Sequence, residues 1–382
     1  MAKRGNMEGC IRLRADGRWE AKYVAGIKPD GSPIRRSVYA KTQGEVSKKL
    51  LEIRTQLETG QYAQPDKLSV SQWLDTWLEE YVNPTRRPAT IATYANNIRI
   101  HLQPAFGRTA LQKLRPENVQ RLYNDMSKSG SKPATVIKAH HVLNAAMKQA
   151  IKNRLIINNP CDAAVLPKLE QEDINPLTED EQRRFVEALP DTTNGRALTF
   201  ILGTGLRVSE LCGLRWKDVT DGTISITQSI RRLQTAKGMK GPKTVIVTTK
   251  PKTKASMRKI PLSPKLKAIL AKERQEQAEI LLRLGASRGE NDLVFATALG
   301  KPLDVRNIAR ALYRTLDQLG IERRGVHALR HTFATRAIDN GMDARTLSEI
   351  LGHADVATTL RLYVHSSMET KKKSMDKMDN LL

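Results

Sequence analysis

VHALRHTFAT, residues 326–335, sets His327, Arg330 and His331 within five positions. All three can carry positive charge, and crowding them costs free energy unless something negative stands opposite. On a helix, residues three and four apart share a face, so His327 would stand beside both Arg330 and His331. The two histidines have the i, i+4 spacing of a zinc pair. No Glu follows the first His, however, and no third ligand lies nearby in sequence. Arg330 beside an imidazole suits a phosphate, because a planar guanidinium bonds two oxygens at once. On this stretch alone, a capping or surface arginine beside a packed histidine remains the alternative reading.

Three other stretches bear on the choice. LTFILGTGLRVSELCGLRWKDV, residues 198–219, has an apolar helix, a GTG break, then Arg207 and Glu210 three apart. A Gly-flanked arginine at a helix start can approach a ligand closely. PKTKASMRKIPL, residues 251–262, reads as a hairpin with Lys252 and Lys254 near its tip and Lys259 further on. LGHADVATTLRLYVH, residues 351–365, places His353 just after a helix stop at Gly352, and a new helix capped near Asp355 carries Tyr363. Tyr313, in the amphipathic IARALYRTLDQLG, reads as core packing.

The bulk numbers point the same way. Lys and Arg total 64 against 40 Asp and Glu in 382 residues, a net charge of +24 spread along the chain. That balance favours polyanions and predicts salt-dependent affinity for nucleic acid, DNA and RNA alike. With 40% hydrophobic residues the chain has apolar material for real cores, so it is no disordered basic tail. Three scattered cysteines, Cys10, Cys161 and Cys212, show neither disulfide nor metal spacing and fit a reducing cytosol. MAKRGNMEGC lacks the apolar run of a signal peptide. No run of about 18 apolar residues predicts a membrane span.

Three segments follow. In residues 1–66, polar–apolar alternation broken at ADG and PDGS suggests two or three short antiparallel strands, taken here as a three-stranded sheet. A helix through Val46, Leu50, Ile53 and Leu57 comes next and stops at Gly60. The strands carry Arg12, Arg14, Arg18, Lys22, Arg35 and Arg36, a basic face able to enter a DNA groove or simply to sit in solvent. Residues 67–170 read as all-helical, with Trp73, Trp77 and Tyr81 on one helix face as a core stripe and further helices begun near prolines. His140 and His141, adjacent in sequence, face different sides and cannot pair as ligands. Residues 174–382 read as mainly helical with a small antiparallel sheet, opened by a capping box in LTEDEQ with Thr178 as cap. The fold class is therefore multidomain: a small α+β N-terminal module, an all-α middle domain, and a mainly α C-terminal domain.

Taken together, Arg207, a lysine near 252, His327-x-x-Arg330, His353 and a Tyr ten residues later resemble the tyrosine recombinases. The GLRxSEL, HxLRHTFAT and LGHxxxxTT…Y blocks occur in that family's order. The nearest resemblance is to integrases of temperate phages and conjugative transposons, which share a basic N-terminal strand module. The resemblance implies a catalytic set of Arg207, Lys252 (Lys254 being the second choice), His327, Arg330, His353 and the nucleophile Tyr363, with Glu210 orienting its neighbours. It implies cleavage of DNA through a 3′-phosphotyrosyl intermediate and a Holliday junction, integrating and excising a mobile element without metal or ATP. It also implies an arm-site module at 1–66, a core-site domain at 67–170, a catalytic domain at 174–382 and a C-terminal tail passed to a neighbouring protomer. Implied partners are double-stranded DNA, three further copies in a homotetramer, an excisionase and a DNA-bending protein, in a bacterial cytoplasm at the nucleoid.

Overall fold

The computed structural model describes residues 10–27, 30–58, 68–169, 175–234, 244–250, 256–289, 291–353 and 355–363, the side chains of Gln234 and 361–363 apart. The chain divides into two compact units, 1–170 and 171–382.

The first unit opens with an antiparallel sheet of β1 (Cys10–Leu13), β2 (Trp19–Ile27) and β3 (Pro33–Ala40), followed by α1 (Gln43–Glu58). Alternation along β2 buries Ala21, Tyr23 and Ala25 with Val46 and Leu50 of α1. The opposite face carries Arg12, Lys22 and Arg35, whose register places them around Glu20 and Tyr39. Arg36 stands opposite Tyr23 on the other face, so the basic residues divide between the two sides. Glu20 is nearly buried, and hydrogen bonds from Ser37 and Arg12 hold its carboxyl down at about 2.

The helical part of this unit has its own core. It comprises α2 (Val70–Thr76), α3 (Pro88–Asn97), α4 (Gln103–Phe106), α5 (Pro116–Lys128) and α6 (Pro133–Lys152), with π-helical turns at Trp77–Val82 and Ile98–Leu102. Ser69 and Gln72 cap α2 reciprocally, and proline occupies the first turn of α3, α5 and α6. Trp73 and Trp77 are core residues, whereas Tyr81 lies at the rim and accepts a hydrogen bond from Asn153 Nδ2 (2.7 Å). Helix α5 was not legible as a separate element in the sequence. Its Val119, Tyr123 and Met126 bury one narrow stripe in an otherwise polar segment.

The second unit begins with α7 (Glu179–Ala188), where Thr178 and Glu181 form the expected capping box. Helix α8 (Thr193–Thr204) runs through the core with Ala197, Leu198, Phe200 and Ile201 buried. Two small sheets follow a short α9 (Val208–Leu211). Strands β4 (Val219–Thr220), β5 (Thr223–Ile226) and β8 (Arg258–Pro261) form one sheet, and β6 (Ser229–Gln234) pairs with β7 (Thr244–Thr249) in the other. The hairpin tip expected at Lys252 and Lys254 lies outside the described residues of the stretch 251–262. The C-terminal half of that stretch is β8, which pairs with β5 because Ile260 opposite Ile224 completes the same buried core. The remaining helices are α10 (Pro264–Arg283), α11 (Val305–Gln318), α12 (Val326–Asp339), α13 (Ala344–Leu351) and α14 (Val356–Tyr363). Among the described residues no helix is long and apolar enough to cross a membrane.

Candidate functional site

Backbone turns at two glycines place the site residues. Gly205 ends α8 with φ +66°, a left-handed conformation that favours glycine, and a Cβ there would stand 2.5 Å from the Phe333 ring. The turn delivers Arg207 to the N-cap of α9. Glu210, three residues on, accepts the Arg207 backbone N–H (3.0 Å) and its Nη1 (2.8 Å). Gly352 ends α13 in the same way, with φ +67°, and delivers His353.

Helix α12 carries the quoted stretch. Arg330 is 1% exposed; its Nη1 donates to Gly205 O and its Nη2 to Leu351 O, both at 2.8 Å. One guanidinium thus ties the end of α8 to the end of α13. His327 lies one turn earlier on the same face and opens to solvent. With Arg207, Ile230, Arg231 and Arg306 it lines a cleft of about 530 Å³. His331 stands edge-on to His327, ring centroids 4.6 Å apart, and is half-buried. His353 Nδ1 shares a 2.8 Å hydrogen bond with the Thr359 hydroxyl, which is fully buried on α14. Helix α14 ends at Tyr363, whose side chain lies outside the described residues, as do Lys252 and Lys254; Lys259 is exposed on β8. Tyr313 packs on the apolar core with the Arg323 guanidinium 5.6 Å over its ring.

Arg258 is a member of this cluster that sequence reading passed over. Its Nη2 donates to Glu210 Oε2 (2.9 Å), its Nη1 to Glu210 Oε1 (3.3 Å), and its Nε to Ile350 O. The signal was present in MRKIPL. Strand alternation puts Arg258 on the same side as the buried Ile260, and an arginine on a core face calls for a partner.

The electrostatics follow from this packing. Burial pushes the Glu210 carboxyl up, but the hydrogen bond and charge of Arg258, then the charge of Arg207, outweigh it and hold the group ionised. Burial pulls His353 down to about 4, helped by Arg330, Arg207, Arg258 and His327. His331 falls to about 4 through burial, then His327, Arg330 and His353. Desolvation lowers His327 too, with Arg330 and Arg207 adding and Glu210 opposing. The imidazoles are therefore neutral at neutral pH, and the cluster's charge rests on Arg207, Arg258 and Arg330 against Glu210. Such a site attracts a compact anion. Among the described residues no group of three or more His, Cys, Asp or Glu is arranged to hold a metal ion.

Comparison with known proteins places these features. The sequence pattern described as the phage integrase family matches residues 175–370, and that of the phage integrase N-terminal SAM-like domain matches residues 69–127. A tyrosine recombinase XerC-like protein of Caldanaerobacter subterraneus subsp. tengcongensis is 27% identical over 376 residues, covering 95% of this chain and 96% of its own. The ICEBs1 integrase of Bacillus subtilis is 24% identical, with 97% and 100% covered. Among solved structures, the Tn1549 transposon integrase in complex with a circular intermediate DNA superposes with a TM-score of 0.66 at 23% identity, over 81% of this chain and 99% of that one. A lambda integrase tetramer bound to a Holliday junction superposes with a TM-score of 0.59 at 18% identity, over 94% and 96%.

Proposed function

The chain belongs to the phage integrase family, and from that membership we propose a tyrosine-type integrase that cuts and rejoins DNA to integrate and excise a mobile element. The observation that carries the reading is the convergence of Arg207, Arg258, His327, Arg330 and His353 on one place in the second unit, with Tyr363 ending the helix that follows His353.

A phosphodiester resists attack because its charge repels nucleophiles. In the reading proposed here, the Arg207 and Arg330 guanidiniums offset that charge on the non-bridging oxygens. The Tyr363 phenolic oxygen attacks the phosphorus, loses its proton and forms a 3′-phosphotyrosyl bond, while the 5′-bridging oxygen leaves and takes up a proton. A 5′-hydroxyl from another strand reverses the step, so the bond energy is conserved and neither ATP nor a metal is needed. His327 and His353, neutral in the free protein, gain protons readily once phosphate charge is beside them, which suits them to proton transfer. Lys252, with Lys254 as alternative, is proposed as the donor to the leaving oxygen, and Glu210 as an orienting group. Four copies would exchange strands through a Holliday junction, with the N-terminal sheet on arm sites, the helical domain on core sites and the tail on a neighbour. An excisionase and a DNA-bending protein would set direction, and the protein would work in a bacterial cytoplasm.

A suicide duplex carrying a nick beside the scissile phosphate tests the reading. Wild type becomes covalently attached to the 3′ end, and Tyr363→Phe binds the duplex without attachment. Undiminished attachment by that variant would move the nucleophile elsewhere.

A further inference from the structure

Arg258 stands where three pieces of the site meet. Its side chain is 5% exposed and paired with a Glu210 side chain only 7% exposed. Glu210 is shared: Oε1 accepts from Arg207 at 2.8 Å and from Arg258 at 3.3 Å, while Oε2 accepts the Arg207 backbone N–H at 3.0 Å and Arg258 Nη2 at 2.9 Å. The carboxylate therefore serves as a hinge pin between two guanidiniums, and one of them, Arg207, reaches the cleft with its side chain 32% exposed. On its other edge Arg258 donates to the Ile350 carbonyl, while Arg330 donates to the next one, Leu351. These belong to the last turn of α13, where orphan carbonyls and the negative end of the helix dipole both favour a cation. His353 follows two residues later.

We propose that Arg258 is a positioning residue for strand cleavage: through Glu210 it sets the Arg207 guanidinium, and through the Ile350 carbonyl it sets the helix end that carries His353. It does not itself line the cleft beside Arg207 and His327. Its charge adds to the field on the phosphate, but its geometry matters more. Without it Glu210 would be left to Arg207 alone, and a buried carboxylate would draw that guanidinium inward, away from the scissile phosphate. The inference rests on the reading of the cluster as a phosphate site.

Single-turnover attachment of Arg258→Met and Arg258→Lys to the suicide duplex separates this role from simple support of the fold. Two substrates are compared, one with an ordinary scissile phosphodiester and one with a methylphosphonate there, whose non-bridging oxygen charge is absent. Thermal midpoint and duplex affinity are measured alongside. Arg258→Met should attach to the phosphodiester about 100-fold more slowly than wild type, the usual consequence of a misplaced catalytic group. Its deficit should shrink to under about 10-fold on the methylphosphonate, where there is less charge for Arg207 to meet. Arg258→Lys, which restores the pairing with Glu210 but not the fork, should fall between. If Arg258→Met does not fold, Glu210→Gln with Arg258→Lys supplies the same substrate comparison, and the double variant should be no slower than the worse single one. Equal deficits on both substrates, or a wild-type rate, would overturn the positioning role. If wild type attaches and Tyr363→Phe does not, such a result leaves the integrase reading intact. If wild type makes no tyrosine adduct at all, both fall together.

Discussion

Two of the arginine networks among the described residues of the second unit are built on opposite charge balances. Arg196, on α8, donates Nε to Glu273 (2.6 Å), Nη1 to Asp191 (2.7 Å) and Nη2 to Glu276, and Lys272 also reaches Asp191. Two cations there meet three carboxylates. Burial pulls the Arg196 guanidinium down, but the three acidic partners outweigh it and hold it firmly charged. At the candidate site two guanidiniums, Arg207 and Arg258, share one carboxylate, and a third, Arg330, is held by backbone carbonyls. A carbonyl satisfies an N–H donor without cancelling its charge. The first network is thus complete within the protein, whereas the second, among the described residues, holds more guanidiniums than carboxylates. Buried arginine alone says little; the kind of acceptor it meets separates a structural knot from an anion site.

The comparison can be tested from both ends. Arg330→Lys should have the largest effect on chemistry. It keeps the charge but loses the fork that joins Gly205 O to Leu351 O, and cleavage of the suicide duplex should drop by about 100- to 1000-fold. A near-normal rate would show that charge alone suffices. Arg196→Met should have the converse profile. It strands Glu273 and should cost about 3–5 kcal/mol of stability in denaturant titration, while attachment per folded molecule stays within about 3-fold of wild type. If attachment collapses while stability holds, the two networks are not separable.

The third effect concerns pH. His331 and His353 titrate at about 4 in the fold, against the ordinary 6.5, so between those values the unfolded chain binds more protons. Stability of the DNA-free protein is therefore full above about pH 6.5 and declines as pH falls toward about 4. His353→Gln should flatten part of that decline in thermal scans at successive pH values. An unchanged slope would mean that other groups dominate the window. The smallest effect is expected from Thr359→Val, which removes the hydroxyl that orients His353 Nδ1; cleavage should fall by roughly 10-fold with duplex affinity unchanged.

Much of the architecture was legible in the chain itself. The Thr178 capping box joins residues three apart, and the α1 stripe and the period-2 alternation of β2 are patterns within short windows, readable whatever they pack against. Pairing of β8 with β5 joins positions from 32 (Ile226 and Arg258) to 38 (Thr223 and Pro261) residues apart, and the shared core around Ile224 and Ile260 brings them together. Arg258 was obscured for the same reason: its partners, Glu210 and Ile350, lie 48 and 92 positions away.

The amino-acid sequence by itself determined that the chain is basic, that His327 and Arg330 share a helix face, and that glycines 205 and 352 stop helices just ahead of Arg207 and His353. Those are matters of composition and of 3.6-residue periodicity, written in short windows. Only the tertiary structure decided that Arg207, Arg258 and Arg330 gather around the Glu210 carboxylate and the backbone carbonyls of Gly205, Ile350 and Leu351, with the imidazoles beside them held neutral. Charge balance and desolvation are set by what the folded chain brings together across long separations, and no local window contains them.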